Sequence, residues 1–497
     1  MMSYRTYHNL IGGEWVPAKS GKTILNLNPA DHVDVVGAFP SSSAEDVAAA
    51  VAAARKAYAT WRLVPAPKRA EILVRAGLLL QQRKEQYASD MTREMGKVLA
   101  ETRGDVQEAI DEAFYVAGEG RRLFGVTTPS ELQNKFAMSV RMPLGVVGLI
   151  TPWNFPMAIP SWKLFPALVA GNTCVIKPAT DTPLSTYNLV QALVDAGLPP
   201  GVVNIVSGSG SATGTALVEH PDVRAISFTG SSAVGSLVGQ RAAASFKPVS
   251  LEMGGKNAQI VLDDANLDLA LDGALWGAFG TTGQRCTATS RILLQKGIAA
   301  QFTAAFVERA KKLKIGNGLD ESVQVGPQVN AGQIETSKMY VEIALAEGAK
   351  LLAGGKPLLE GSYSKGTFFE PTVLGGVTAG MRIAREEVFG PVVCLIEFET
   401  FEQAIEIANS IDYGLSTALY TKNVNQAFAA MRDLEAGITY INAPTIGAEV
   451  HLPFGGVKQT GNGHREGLGA IDFFTTWKAV YVDYSDKLQR AQIDNAE

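Results

Sequence analysis

The segment GVVGLITPWNFP, residues 145–156, decides how the rest of the chain is read. Residues 145–150 form an apolar run too short for a helix, with none of the polar alternation of a half-exposed strand. They read as a strand buried on both faces. Two prolines follow at once, so the strand must give way to a stiff loop. Outward from here the same texture repeats. Short apolar runs at 173–177, 202–206 and 225–229 alternate with helical stretches at 186–196 and 214–219. Strands interleaved with helices at this spacing predict an α/β architecture, a parallel sheet with helices on both faces. Ligands in such sheets sit beyond the carboxyl ends of the strands, which is where the proline-rich loop would lie.

A second alternating set follows Gly254: strands at 258–262, 291–294, 372–375, 392–398, 418–420 and 439–441, with helices at 267–279 and 299–313. This predicts a second α/β lobe, and 497 residues are indeed too many for one ordinary core. Upstream, 43–62, 68–97 and 99–123 read as amphipathic helices, the first capped by Ser43 three residues before Asp46. Their apolar faces are assigned to packing and given no chemistry. The tail at 473–484, rich in aromatic residues, Thr and Val, reads as a strand. An end strand needs a partner, here expected in the sheet of another subunit.

Composition narrows the classes. Hydrophobic residues at 46% and charged residues at 19% describe a packed globular protein rather than a disordered chain. Forty-four basic against forty-nine acidic side chains leave a net charge of −5, which offers no broad basic footprint for nucleic acid. Three cysteines argue against a disulfide framework. Cys174 and Cys394 lie in strand-like runs and read as small buried hydrophobes. Residues 1–12 hold no apolar core of signal-peptide length. The longest apolar stretch, 145–171, is broken by four prolines, Asn154 and Lys163, so no membrane span is expected. Together these point to a cytoplasmic location. No set of side chains has metal-ligand spacing.

Cys286 stands apart, in TTGQRCTAT (281–289) after a predicted helix. Gly283 permits a sharp turn, and the charge of Arg285 is expected to favour the thiolate. A structural cysteine is the competing reading. Glu252, in VSLEMGGKN (249–257), ends an apolar run. Partial desolvation there would raise its pKa toward general-base range, against the plainer reading of a salt-bridged carboxylate. Asn154 is an amide held by two prolines at a strand end, suited to an oxyanion, or else part of a packing corner. The sequence AISFTGSSAVG (225–235) runs from a strand into a helix through Gly230 and Ser231, whose N–H groups could hold a pyrophosphate. GSGSATG (208–214), beginning at Gly208, is a glycine-rich turn of low specificity. Lys177 before Pro178, and Glu387 in EEVFGP (386–391), could each reach a ribose.

Taken in order, PWNFP (152–156), KP (177–178), FTGS (228–231), LEMGGKN (251–257), GQRCTA (283–288), EEVFGPV (386–392) and PFGG (453–456) resemble the aldehyde dehydrogenase superfamily, over essentially residues 12–484. The resemblance implies that Cys286 is the nucleophile and Glu252 the base for deacylation. Asn154, with the Cys286 N–H, would form the oxyanion hole. Lys177 and Glu387 would hold the two riboses and Gly230 and Ser231 the pyrophosphate, with Trp153 and Phe389 packing near the cofactor. Lys163 and Glu466 match positions linked to proton release. Because Glu252 is retained, the free acid rather than a CoA thioester is the implied product. The implied architecture is a Rossmann-like cofactor domain (1–123 and 144–253), a catalytic domain (254–442), and an oligomerisation element with the C-terminal segment (124–143 and 443–497). A homodimer or homotetramer is implied.

Thr180 stands where NAD-selective relatives carry a glutamate. A carboxylate there would repel a 2′-phosphate and a threonine would not, so NADP is expected to be accepted, beside NAD. Phe155, Ile159, Trp162, Arg285, Thr287, Ile446 and Phe454 are expected to line the substrate tunnel. The expected substrate is a small or medium aldehyde, with an ω-semialdehyde of a carboxylic acid among the candidates. Glu449 and His451 would bind a substrate amine or simply face water. A cysteine hydrolase is the rival enzyme class, but none of the five histidines lies in a matching motif. A non-catalytic scaffold would be marked by loss of Cys286 or Glu252, and both are present.

Overall fold

The computed structural model describes residues 4–494; residues 1–3 and 495–497, the outermost parts of the first and last expected segments, lie outside it. Two seven-stranded sheets and one three-stranded sheet organise the chain. The first runs in the order Val249–Glu252, Val223–Thr229, Val146–Ile150, Thr173–Lys177, Val203–Ile205, Asn9–Ile11, Glu14–Val16. Its first five strands are parallel, and the N-terminal hairpin closes the edge antiparallel. Alternation along Val146–Ile150 explains why the run is wholly apolar. Val147 and Leu149 enter one core and Val146 and Ile150 the other, so both faces are covered.

The second sheet orders Lys350–Ala353, Thr372–Gly375, Val392–Phe398, Thr289–Gln295, Asn257–Val261, Ser416–Tyr420 and Ile438–Ile441, parallel except at its first pair. It too is clothed on both faces. Cys174 and Cys394 are fully buried strand residues, as read from their apolar settings.

One expectation is corrected. The stretch 68–97 is two helices, Ala66–Gln82 and Lys84–Met95, because the backbone leaves helical geometry at Arg83. That side chain reaches across to Asp195 at 2.7 Å. The C-terminal strand, Thr475–Asp483, joins the 124–143 segment in one small sheet, as the resemblance implies. It pairs antiparallel along all nine residues of Lys135–Pro143, which in turn pairs with Val126–Pro129. Its outer edge stays open, with Trp477 and Tyr481 exposed. No helix among the described residues is long and apolar enough to cross a membrane.

Candidate active site

The loops leaving the carboxyl ends of Val146–Ile150, Val223–Thr229 and Val249–Glu252 meet the Cys286 loop from the second lobe. Two cavities share Cys286 as a common wall. One is a cleft bounded by Pro152, Trp153, Asn154, Thr229, Gly230, Ser231, Gly254, Glu387 and Phe389. The other, about 380 Å³, is lined by Phe155, Ile159, Trp162, Arg285, Thr287 and Phe454, with Glu252 and Glu466.

The Cys286 loop is a strained elbow. Thr281, Thr282 and Gly283 carry φ of 52°, 57° and 68° in succession. Left-handed backbone costs a non-glycine residue about 1–2 kcal/mol, so neighbours must hold it. They do. The Thr281 N–H donates to both oxygens of Glu101 at 2.8 Å, the Thr282 hydroxyl to the Gly326 carbonyl at 3.0 Å, and the Val329 N–H to Gln284 Oε1 at 3.0 Å. A side chain at Gly283 would stand 2.2 Å from the Gly390 carbonyl, which fixes glycine there.

The Arg285 charge favours the thiolate in direction but does not prevail. Its guanidinium pairs with Glu101 at 3.0 Å and donates to the Thr281 hydroxyl at 2.9 Å. Burial, followed by the nearby Glu387 and Glu252 carboxylates, pushes the Cys286 thiol up to about 12. The Thr287 N–H and Arg285 oppose this and lose.

Glu252 is 2% exposed and neither oxygen has a well-aligned hydrogen-bond partner. Burial, and then Glu466, raise its pKa well above the ordinary carboxylate range, and the opposing Lys163 and Arg465 charges and the Gly456 N–H only soften the rise. The PFGG glycines make room for it, since a Cβ on Gly455 would stand 2.5 Å from Glu252 Oε1. Asn154, also 2% exposed, ends the loop with its amide oxygen bonded to no other described group. Lys163 is fully buried and ion-paired with Glu466, and it donates to Ser227 at 2.9 Å.

In the cleft, Trp153 and Phe389 meet edge to face at 5.2 Å. Glu387 accepts from the Gly255 N–H at 2.9 Å, and a Cβ on Gly254 would come within 2.0 Å of it. The glycine pair thus leaves a cradle for Glu387, whose pKa burial lifts to about 7. Gly230 and Ser231 open the Ser232–Ala243 helix, with Ser231 as its cap. Aromatic walls, a carboxylate and a helix N-terminus around one slot suit a dinucleotide.

Lys177, Thr180 and Gly208 sit apart from that lining. Lys177 donates to the Pro178 carbonyl at 2.7 Å, and burial lowers its pKa to about 8. The Thr180 hydroxyl reaches the Gly208 carbonyl at 3.4 Å, so these two do adjoin. Ile446 is 2% exposed and leaves the cavity wall to Gly447 and Ala448. Glu449 and His451 form an exposed pair, 3.4 Å apart, in an outer groove with Glu108 and Asp111. Among the described residues, no histidine lines either cavity, which removes the usual partner of a cysteine hydrolase.

Sequence reasoning misses one wall entirely. The Leu99–Glu119 helix, assigned only to packing, contributes Ala100, Glu101, Gly104, Asp105 and Glu108 to the 380 Å³ cavity. Its signal is there to be found: acids at 101, 105, 108 and 112 follow helical spacing along one stripe. Asp105 is fully buried against Lys97 at 2.6 Å. Glu108 is raised to about 8 by burial and the Asp105 charge.

A family model for the aldehyde dehydrogenase family matches residues 15–480. The chain belongs to that family. The alpha-ketoglutaric semialdehyde dehydrogenase of Bacillus subtilis is 45% identical, over 96% of this chain and 98% of that one. The 3-sulfolactaldehyde dehydrogenase of Pseudomonas putida is 40% identical, over 96% and 97% respectively. The crystal structure of PnpE in complex with nicotinamide adenine dinucleotide superposes with a TM-score of 0.94 at 37% identity, covering 97% of this chain and 98% of that one. This aldehyde dehydrogenase is therefore an NAD(P)-dependent oxidoreductase that converts an aldehyde to a carboxylic acid.

Proposed function

We propose that the enzyme oxidises a short aldehyde bearing an anionic group at its far end, an ω-semialdehyde of a carboxylic acid. The observation that carries this reading is Arg285, one residue before the nucleophile and in the wall of its cavity. Lys97 is the other cation on that side, but its amine is fully buried against Asp105 and out of a substrate's reach. Two relatives are named for alpha-ketoglutaric semialdehyde and 3-sulfolactaldehyde, both of them short anionic aldehydes.

In this reading the Cys286 sulfur adds to the aldehyde carbon as its thiol proton passes to Glu252 in the same cavity, and the free Asn154 amide donates to the developing oxyanion. Bound NAD(P) supplies the hydride acceptor for the oxidation that leaves an acyl group on Cys286. Glu252, kept basic by burial and facing the same cavity, takes a proton from the water that attacks the acyl carbon. The C–S bond breaks, and the carboxylic acid and a free cysteine result. The Lys163–Glu466 pair receives the proton that Glu252 must shed. Glu387, Trp153 and Phe389 hold the nicotinamide end of the cofactor, and Gly230 and Ser231 its pyrophosphate. Lys177, Thr180 and Gly208 serve the adenosine end, where the absence of a carboxylate at 180 favours use of NADP as well as NAD. The open edge of Thr475–Asp483 supports assembly into a homodimer or homotetramer.

The test is a panel of carboxylated, aliphatic and benzylic aldehydes with each cofactor, followed by absorbance of the reduced nicotinamide. Preference for carboxylated aldehydes that is lost in Arg285→Gln, and turnover abolished in Cys286→Ala, are the expected results. Equal turnover of neutral and carboxylated aldehydes would overturn the substrate class.

A further inference from the structure

Glu101 is an acid in an awkward place for an enzyme that takes anions. It lines the cavity beside the nucleophile, is 11% exposed, and faces the guanidinium proposed to receive the substrate's charge. It also does two things at once. One carboxylate oxygen pairs with Arg285 Nη2 at 3.0 Å, and both oxygens accept from the Thr281 N–H at 2.8 Å. That N–H belongs to the first of the three left-handed residues of the elbow. Gly280, just before, leaves the carboxylate room, since a Cβ there would stand 2.9 Å from Glu101 Oε1. Arg285 closes the circuit by donating from Nε to the Thr281 hydroxyl at 2.9 Å.

We propose that Glu101 is an internal stand-in for the substrate's anion: it neutralises Arg285 while the cavity is empty and yields it when an anionic aldehyde enters. The physical reasons are three. A lone guanidinium at this depth would be costly, so the empty site needs a counter-charge. The pair is nearly buried but borders the cavity, so a carboxylate or sulfonate can approach the same Arg285 fork. Glu101 does not become an orphan on exchange, because the Thr281 N–H still holds it. Phe155 contributes the floor, its ring lying 4.0 Å from Lys97 Nζ and 5.3 Å from Arg285 Cζ, so the cation has a π-face to rest on during the exchange. Glu101 is thus a positioning and specificity residue. It tunes selectivity through Arg285 and steadies Cys286 through Thr281.

This rests on the proposed preference for anionic aldehydes, and the experiment separates the two ideas. Wild-type enzyme is first compared on a carboxylated semialdehyde and a neutral aldehyde of equal length. Absence of preference there defeats the substrate class. Given a preference, Glu101→Gln keeps an oxygen for Thr281 but removes the competing charge. Its KM for the carboxylated substrate is expected to fall about tenfold relative to that for the neutral one, the worth of one charge-assisted contact, while any change in kcat is shared by the two substrates. Glu101→Ala removes the Thr281 anchor as well, and kcat is expected to fall for both substrates alike. Equal KM changes for both aldehydes in Glu101→Gln, or a KM that rises for the carboxylated one, would overturn the proposal. If Glu101→Ala does not fold, the Gln variant alone decides it.

Discussion

The alkylation of Cys286 by iodoacetamide as a function of pH measures directly which influence rules the nucleophile. With the thiol at about 12, roughly one molecule in 10⁵ carries a thiolate at pH 7. An ordinary cysteine near 8.5 carries about 3%. The deficit of about 3.5 units costs some 10^3.5 in thiolate. The more basic sulfur regains about 10^1.5 through its higher nucleophilicity. Alkylation of the cofactor-free enzyme is therefore expected to run about 100-fold slower than that of a free cysteine at pH 7. The sign follows from the acid: each unit of rising pH raises the thiolate tenfold, so log rate climbs with unit slope through pH 10 without a plateau. Peptide mass spectrometry assigns the label, and Cys174 and Cys394, both fully buried, are expected to stay unlabelled. A plateau with a midpoint below pH 8 would refute the reasoning, since it would mean that the Arg285 charge outweighs burial despite its pairing with Glu101.

Three further outcomes are expected. Gly455→Ala, at φ 149°, drives a methyl to within 2.5 Å of Glu252 Oε1; steady-state turnover falls about 100-fold while the first-turnover burst of reduced cofactor survives, as stopped-flow absorbance would register. Glu108→Gln raises stability at pH 7 by about 2 kcal/mol, the linkage cost of a carboxyl that keeps its proton to about 8 when folded and loses it near 4.5 when unfolded, discounted for its partial exposure. That gain vanishes at pH 4, where both states hold the proton, and melting temperatures at the two pH values check it. Thr180→Glu lowers the ratio of kcat/KM for NADP over NAD about 100-fold by like-charge repulsion; an unchanged ratio in initial-rate kinetics would place the 2′-phosphate elsewhere.

How much is legible in the sequence follows a physical divide. Local signals read well. The helix Leu267–Phe279 and the strands Thr173–Lys177, Thr372–Gly375 and Val392–Phe398 fall where apolar runs and their boundaries place them, because burial on both faces demands such runs. Glu252 and Asn154 come together because both follow carboxyl ends of strands in the first sheet, and the Cys286 loop, which leads into Thr289–Gln295 of the second sheet, meets them there. Pairing at a distance does not read. Arg285 looks like a free cation in its own segment because its partner, Glu101, lies 184 residues earlier on a helix judged by its apolar face alone. The break at Arg83 likewise has no glycine or proline to announce it and accompanies a contact with Asp195, 112 residues on. The nine-residue register between the terminal strand and Lys135–Pro143 also cannot be read locally, because nothing in either segment's own sequence names the other; only the resemblance groups them.

The late place of that strand in the chain has a consequence for how the protein is made. Lys163 waits 303 residues for Glu466, and Arg141 waits 334 for Thr475. The Asn172 amide that holds Leu144 and Gly145 in place also donates to the Phe474 carbonyl. A nascent chain leaving the ribosome can therefore fold its first sheet early, yet it lacks the glycines that admit Glu252 and the acid that pairs with Lys163 until synthesis has passed residue 466. Contacts of such long sequence separation are slow to close and leave apolar surface uncovered while they wait. Synthesis stalled before Pro453 would yield a chain that carries Cys286 but no finished base environment. Competence for catalysis therefore waits on residues 453–475, not on the nucleophile.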